Sequence, residues 1–196
     1  MNDRRASANR KTSETHVHAQ VNLDGQGLAK VSTGIGFLDH MLTALARHSR
    51  VDIELTCQGD LHVDDHHTVE DCAITLGEAV LQALGERRSI ARFGYAYAPL
   101  DEALARAVLD LSGRPWAGVQ LATTREQIGT ISTENLTHFM QSFAVAARVT
   151  LHVDVLRGEN DHHRVEAAFK ALALALRMAI ARDDSATIPS TKGVLT

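Results

Sequence analysis

Apolar residues fall into two kinds of pattern along this chain, and the same order of patterns occurs twice. Residues 16–23 alternate apolar and polar and end in Asp24-Gly25; residues 105–111 do the same and end in Ser112-Gly113. Val51-Asp52-Ile53-Glu54-Leu55 and Val149-Thr150-Leu151-His152-Val153 also alternate. Such alternation predicts strands with one buried face. Between these runs, Leu38, Met41, Leu42 and Leu45 recur at helical spacing, as do Phe139, Phe143 and Val145, predicting helices over 37–47 and 134–148. Two longer helices are predicted over 68–84 and 165–180, and the second is almost wholly Ala and Leu through 171–176. A helix apolar on so many sides belongs in an interior. Each half therefore reads strand, turn, strand, helix, strand, helix.

Two copies are too few for a solenoid. The pattern predicts an α+β fold of two duplicated, pseudo-twofold halves, about 10–91 and 92–196, forming one domain with its helices packed between two β-sheets. The join near 85–99 carries no linker rich in Gly, Pro or Ser, so the halves are expected to pack together. The basic N-terminus (Arg4, Arg5, Arg10, Lys11), mixed with Ser and Asn, reads as a frayed tail. Residues 188–193 read as a loop.

Composition narrows the function classes. Aromatics make up 4% of the 196 residues, so the core must come from Ala, Leu, Val and Ile. A net charge of -4 and the lack of a basic block interleaved with aromatics argue against nucleic acid. No apolar run nears the roughly 20 residues of a membrane span, and no signal-like apolar segment opens the chain. Cys57 and Cys72 form no C-x-x-C spacing. A cytoplasmic protein with free thiols is expected.

The chemistry lies in a repeated signature. Asp65-His66-His67-Thr68-Val69-Glu70 returns as Asp161-His162-His163-Arg164-Val165-Glu166. Each copy follows a lone histidine, His40 by 26 residues and His138 by 24. Adjacent histidines on a helix diverge by about 100° and cannot easily grip one ion, but they can serve two. The glutamate lies four residues after one histidine and three after the other, and can join either. Two helices of this kind suggest two metals, each with three nitrogens and one oxygen once His40 and His138 are shared out. No cysteine takes part, so a closed structural zinc site is disfavoured. Imidazole and carboxylate suit Mn, Fe or Zn, and an open six-coordinate site leans towards Mn or Fe. The pattern is not H-E-x-x-H, which disfavours a metalloprotease. His16, His18, His48, His62 and His152 have no repeated partners and read as ordinary histidines.

These residues resemble a known family. Gly36-Phe37-Leu38-Asp39-His40-Met41-Leu42, both His-His motifs with their flanks, the N-terminal Arg10-Lys11-Thr12-Ser13-Glu14-Thr15 and the tail Ile188-Pro189-Ser190-Thr191-Lys192-Gly193 are similar to imidazoleglycerol-phosphate dehydratases. The resemblance implies the duplicated α+β fold, of the ribosomal protein S5 domain 2-like type. It implies a homo-oligomer of 24 subunits, with two Mn(II) ions per active site and sites formed where subunits meet. The implied reaction removes water from imidazole glycerol phosphate to give imidazole acetol phosphate in histidine biosynthesis. With no D-x-D-x-T motif ahead of this region, a single activity is expected rather than a fused phosphatase.

By the same resemblance, Glu14 is the proton-transfer group and Asp101 a second site residue. Arg92, Arg114, Lys170, Ser190 and Lys192 match the phosphate and substrate contacts, which need fixed charge and donors. The reaction is hard without metal, because the proton lost is not acidic. Metal on both ring nitrogens would stabilise an imidazolate, which could expel hydroxide to a diazafulvene-like intermediate and acidify the neighbouring C–H. Two rival readings are a dinuclear metallohydrolase acting on a phosphorylated small molecule and a non-catalytic oligomer assembled by metal.

Overall fold

The computed structural model describes residues 4–183, 187–191, 193 and 195. The first half runs β1 (Arg5–Lys11), β2 (Thr15–Asn22), β3 (Ala29–Ser32), α1 (Gly36–Ser49), β4 (Asp52–Gly59) and α2 (His66–Leu84). The second runs β5 (Phe93–Leu100), β6 (Ala103–Asp110), β7 (Trp116–Gln120), a short hairpin of β8 (Gln127–Ile128) and β9 (Ile131–Ser132), α3 (Thr133–Ala146), β10 (Thr150–Arg157) and α4 (Asp161–Ala179). Apart from the hairpin, the two orders are identical.

The sheets repeat as well. One has the order β1-β2-β4-β3 and the other β5-β6-β10-β7. In each, the strand before the first helix runs parallel to the strand after it, while the remaining neighbours are antiparallel. The helix is thus the crossover of a βαβ unit, which fixes it to one face of its sheet. Strand β2 shows why that face is buried: Thr15, Val17, Ala19 and Val21 point inward and the residues between them outward.

Helices of opposite halves meet in the middle, α1 against α4 and α2 against α3. Their contact is close. A Cβ at Gly77 of α2 would lie 2.8 Å from the carbonyl oxygen of Phe143 in α3, so only glycine fits. Leu38, Met41, Leu42, Phe139, Phe143 and Phe169 are buried in one continuous core with the Ala and Leu of α4. The predicted burial of that helix is observed: Ala167, Ala168, Ala171, Leu172, Ala173, Ala175, Leu176 and Ala179 are all buried.

Two expectations are corrected. The basic N-terminus is an edge strand, β1, rather than a frayed tail. It escapes a pattern search because RASANRK buries only Ala8. The join between halves contains a full strand, β5, whose apolar pattern is inverted: Phe93, Tyr95 and Tyr97 face outward while Gly94 and Ala98 face in. Helix α4 explains the inversion, since a Cβ at Gly94 would sit 1.9 Å from the carbonyl oxygen of Ala175. Each half therefore begins one strand earlier than the apolar pattern predicts.

Candidate metal centres and active site

Both long helices begin at the His-His motif, which places the histidines in the first turn. Buried aspartates hold these starts in place. Asp161 Oδ2 accepts from the N–H groups of Thr124 (2.9 Å) and Arg125 (2.7 Å), and Oδ1 from Arg164 (2.8 Å). Asp65 accepts from the Ser132 N–H (2.7 Å) and hydroxyl (3.0 Å), tying α2 to the start of α3. Burial raises the pKa of both aspartates, but these donors outweigh it and leave both carboxyls below the ordinary range.

Because helices pair across the halves, so do the metal-type ligands. His40 from α1 joins His162 and Glu166 from α4, and His138 from α3 joins His66 and Glu70 from α2. In each group one ligand atom per residue lies within 4.8 Å of the others. Glu166 Oε2 is 3.1 Å from His40 Nε2 and 3.2 Å from His162 Nε2. Glu70 Oε1 is 3.1 Å from His138 Nε2, and the His66 and His138 rings stack at 4.9 Å. Glu70, which could have served either neighbour, thus groups with His66. His66 Nδ1 is held at 3.1 Å by the side-chain oxygen of Asn135, so its Nε2 stays available as a ligand.

His67 and His163 belong to neither group. Their rings stand nearly perpendicular to those of His66 and His162, at 78° and 86°. His67 donates Nδ1–H to Asp60 at 3.0 Å, and His163 donates Nδ1–H to Glu102 at 2.7 Å. These carboxylates raise both histidine pKa values against the opposing effect of burial. On Nε2 each meets a second carboxylate, Glu14 at 3.8 Å from His67 and Asp101 at 3.9 Å from His163. A histidine oriented through Nδ1 by a carboxylate, with Nε2 projecting, is the arrangement metal-binding histidines use. The donor set, nitrogen and oxygen without sulfur, fits Mn, Fe or Zn.

The two carboxylates on Nε2 occupy matching places. Glu14 lies in the β1–β2 turn and Asp101 in the β5–β6 turn, with Asp101 in the left-handed region at φ 48°. Glu102 is pinned by the N–H groups of Glu159 (3.0 Å) and Asn160 (2.9 Å). The Asn160 N–H, then His163 and the Glu159 N–H, hold its pKa down to about 2. Sequence reasoning missed Asp60, Glu102 and Asn135. Glu102 could have been found by aligning the two hairpin turns, had β1 and β5 been recognised as strands.

The predicted phosphate contacts are split. Lys170 is in the His40 cluster, with Nζ 2.7 Å from Glu166 Oε1. Burial raises the pKa of Glu166, but Lys170 and His40 outweigh it and bring it down to about 2. Arg92 lies far from that cluster. Its N–H donates to the carbonyl of Ala179, at the last residue of α4. At 1.5 Å per residue that is about 25 Å along the helix from His162. Its guanidinium grips both oxygens of Asp110 (2.8 and 3.1 Å) and the carbonyl of Pro189 (2.7 Å), which puts Ser190 at the same end. Arg114 is exposed in the turn after β6, where its N–H donates to the Ser112 hydroxyl at 3.2 Å. Lys192 falls outside the described residues.

Comparison with known proteins decides the family. The sequence pattern of imidazoleglycerol-phosphate dehydratase matches residues 33–176. The chain belongs to the imidazoleglycerol-phosphate dehydratase family. A Zymomonas mobilis protein of that name is 55% identical, over 97% of this chain and 98% of its own length. The Saccharomyces cerevisiae protein is 50% identical, with both chains covered in full. A Phytophthora nicotianae member is 61% identical over 98% of this chain, which spans 42% of that longer protein. Among solved structures, the Staphylococcus aureus enzyme matches with a TM-score of 0.79 at 36% identity, covering 90% of this chain and 99% of its own. The Pyrococcus furiosus enzyme in complex with (S)-C348 matches at 0.80 and 38%, covering 95% and 99%. The family's enzymes are hydro-lyases of histidine biosynthesis, and the duplicated α+β fold agrees with theirs. Among the described residues, no helix is long and apolar enough to cross a membrane.

Proposed function

We propose that this enzyme dehydrates imidazole glycerol phosphate in the cytoplasm, in sites that hold two Mn(II) ions and are shared between subunits of a 24-membered homo-oligomer. The observation that carries this reading is the division of ligands within one chain. Two clusters each offer two imidazoles and a carboxylate, while His67 and His163 project away from both. A neighbouring copy that supplies His67 to one cluster and His163 to the other makes each ion's set three nitrogens and one oxygen. The phosphate contacts support the same arrangement. A span of about 25 Å within one chain is far longer than a glycerol phosphate. Arg92, Arg114 and Ser190 therefore serve a neighbour's site and Lys170 its own, while Lys192 is a phosphate contact by resemblance alone. The outer face of the β5-β6-β10-β7 sheet, with Phe93, Tyr95, Tyr97 and Trp116 each more than half exposed, suits burial against a second copy. The repeats, taken as 10–91 and 92–196, work as one unit because every cluster draws on both.

Bound ions would supply Lewis-acid stabilisation of the substrate ring as an imidazolate. Loss of the hydroxyl from the carbon attached to that ring gives a diazafulvene-like intermediate with an acidic neighbouring C–H. Glu14 takes this proton, since its carboxylate stands beside the projecting nitrogen of His67. The resulting enol becomes the ketone, imidazole acetol phosphate. Asp101 stands in the matching place beside His163. A dinuclear hydrolase would need a carboxylate shared between two ions. Glu70 and Glu166 instead serve one cluster each. Metal-driven assembly is part of the proposal, because ligands shared between copies both join subunits and build the site.

The test is turnover of imidazole glycerol phosphate by metal-stripped protein, before and after addition of Mn(II). No product without metal and restored formation of imidazole acetol phosphate with it are expected. Equal turnover in the stripped protein, or none from folded, metal-loaded protein, would overturn the proposal.

A further inference from the structure

His67 and Asp71 lie four residues apart on α2, and so on one face of the helix. The β1–β2 hairpin lies across that face and touches it twice. At its tip, Glu14 Oε1 is 3.8 Å from His67 Nε2. One helical turn further on, buried Asp71 takes both flanks of the tip. Arg10 Nε at the end of β1 donates to Oδ1 at 2.5 Å, and the Thr15 hydroxyl at the start of β2 donates to Oδ2. Between these anchors the turn is closed on itself. The Thr12 hydroxyl accepts from the N–H groups of Glu14 (3.1 Å) and Thr15 (3.0 Å), and the Thr12 N–H donates to the Thr15 carbonyl at 2.9 Å.

The repeat shows that the anchor is particular to this half. The residue after the motif glutamate is Asp71 in the first copy and Ala167, fully buried, in the second. There the β5–β6 turn is held by Glu102 itself, through the Glu159 and Asn160 N–H groups.

We infer that Asp71 is a positioning residue for the dehydration: it clamps both strands of the β1–β2 hairpin to α2 and thereby fixes Glu14 beside His67. The inference rests on the reading of Glu14 as the proton acceptor. A displaced base loses rate without losing substrate, so the effect falls on kcat. An ordinary buried ion pair would instead lower stability, and Glu14 would be irrelevant to the result.

The experiment is a double-mutant cycle on the Mn-loaded oligomer, with Asp71→Asn and Glu14→Gln singly and together, following kcat, KM, bound metal and size. Asp71→Asn is expected to lower kcat by about 10- to 100-fold, as misplacement of a catalytic group does, with KM, metal and size unchanged. Added to Glu14→Gln it should cost nothing further. Thr15→Val, which cuts one anchor and leaves the Arg10–Asp71 pair, should reproduce part of the loss, and Thr15→Ser should restore it. These two variants decide the matter if Asp71→Asn does not fold. An equal loss of kcat in both backgrounds, or lost stability or metal with normal kcat per bound ion, would overturn the inference. Full activity of Glu14→Gln would remove the base assignment, and the inference with it. An impaired Glu14→Gln beside a normal Asp71→Asn would remove the inference alone.

Discussion

Replacing His67 or His163 with alanine is expected to lower kcat by more than about 100-fold and to reduce bound metal. The loss should exceed the roughly 10- to 100-fold that removal of a partner hydrogen-bonded to a metal ligand causes. Within one chain the two rings look like histidines paired to surface carboxylates, His67 with Asp60 and His163 with Glu102. Pairs of that kind contribute little to stability when exposed to solvent. If pairing were their whole role, alanine would change little beyond a small loss of stability. As ligands delivered to a neighbour's cluster, each would supply one nitrogen to an ion, and alanine would remove it. Metal analysis and kinetics on the same preparations separate the two. Normal metal content with full activity in either variant would break the shared-ligand arrangement.

Glu14→Gln should lower kcat by about 10²–10⁴-fold, the usual contribution of a positioned base, while metal content, size and KM stay close to wild type. Glutamine keeps the shape of the side chain and removes its ability to take a proton. Glu14 is about half exposed and is not a member of either ligand cluster. Its loss should therefore leave the ions in place. A kcat within a few-fold of wild type would move the proton-transfer role elsewhere, with Asp101 the first residue to examine. Loss of metal would show that Glu14 acts on the centre rather than on substrate.

The candidate ligand residues are legible because the motif occurs twice, and because helical spacing shows that adjacent histidines must diverge. Which residues meet was not legible. Periodicity marks the apolar face of α2, but it does not say that α3 rather than α1 lies against it, and that choice groups His138 with Glu70. The close approach at Gly77 is a three-dimensional fact with no counterpart in pattern. Strands β1 and β5 were hidden for opposite reasons, one too polar and the other with its large residues turned outward. With them went the equivalence of the two hairpin turns, and so the role of Glu102; Asp60, just past the end of β4, carries no mark in the pattern. The phosphate residues came from resemblance alone. The chain then places Arg92 at the far end of α4 from His162 and Glu166, which no reading of spacing could foresee.

Subunit complementation tests the shared site most directly. His40→Ala lacks a ligand that the site draws from one copy and Arg114→Ala lacks an exposed phosphate contact that it draws from another, and each preparation should be weak alone at low substrate. Mixed, stripped of metal and reassembled with Mn(II), the two should regain about a quarter of the wild-type rate, since random assembly gives that share of sites both intact contributions. Activity no higher than the average of the separate variants would contradict the arrangement and place the whole site within one chain.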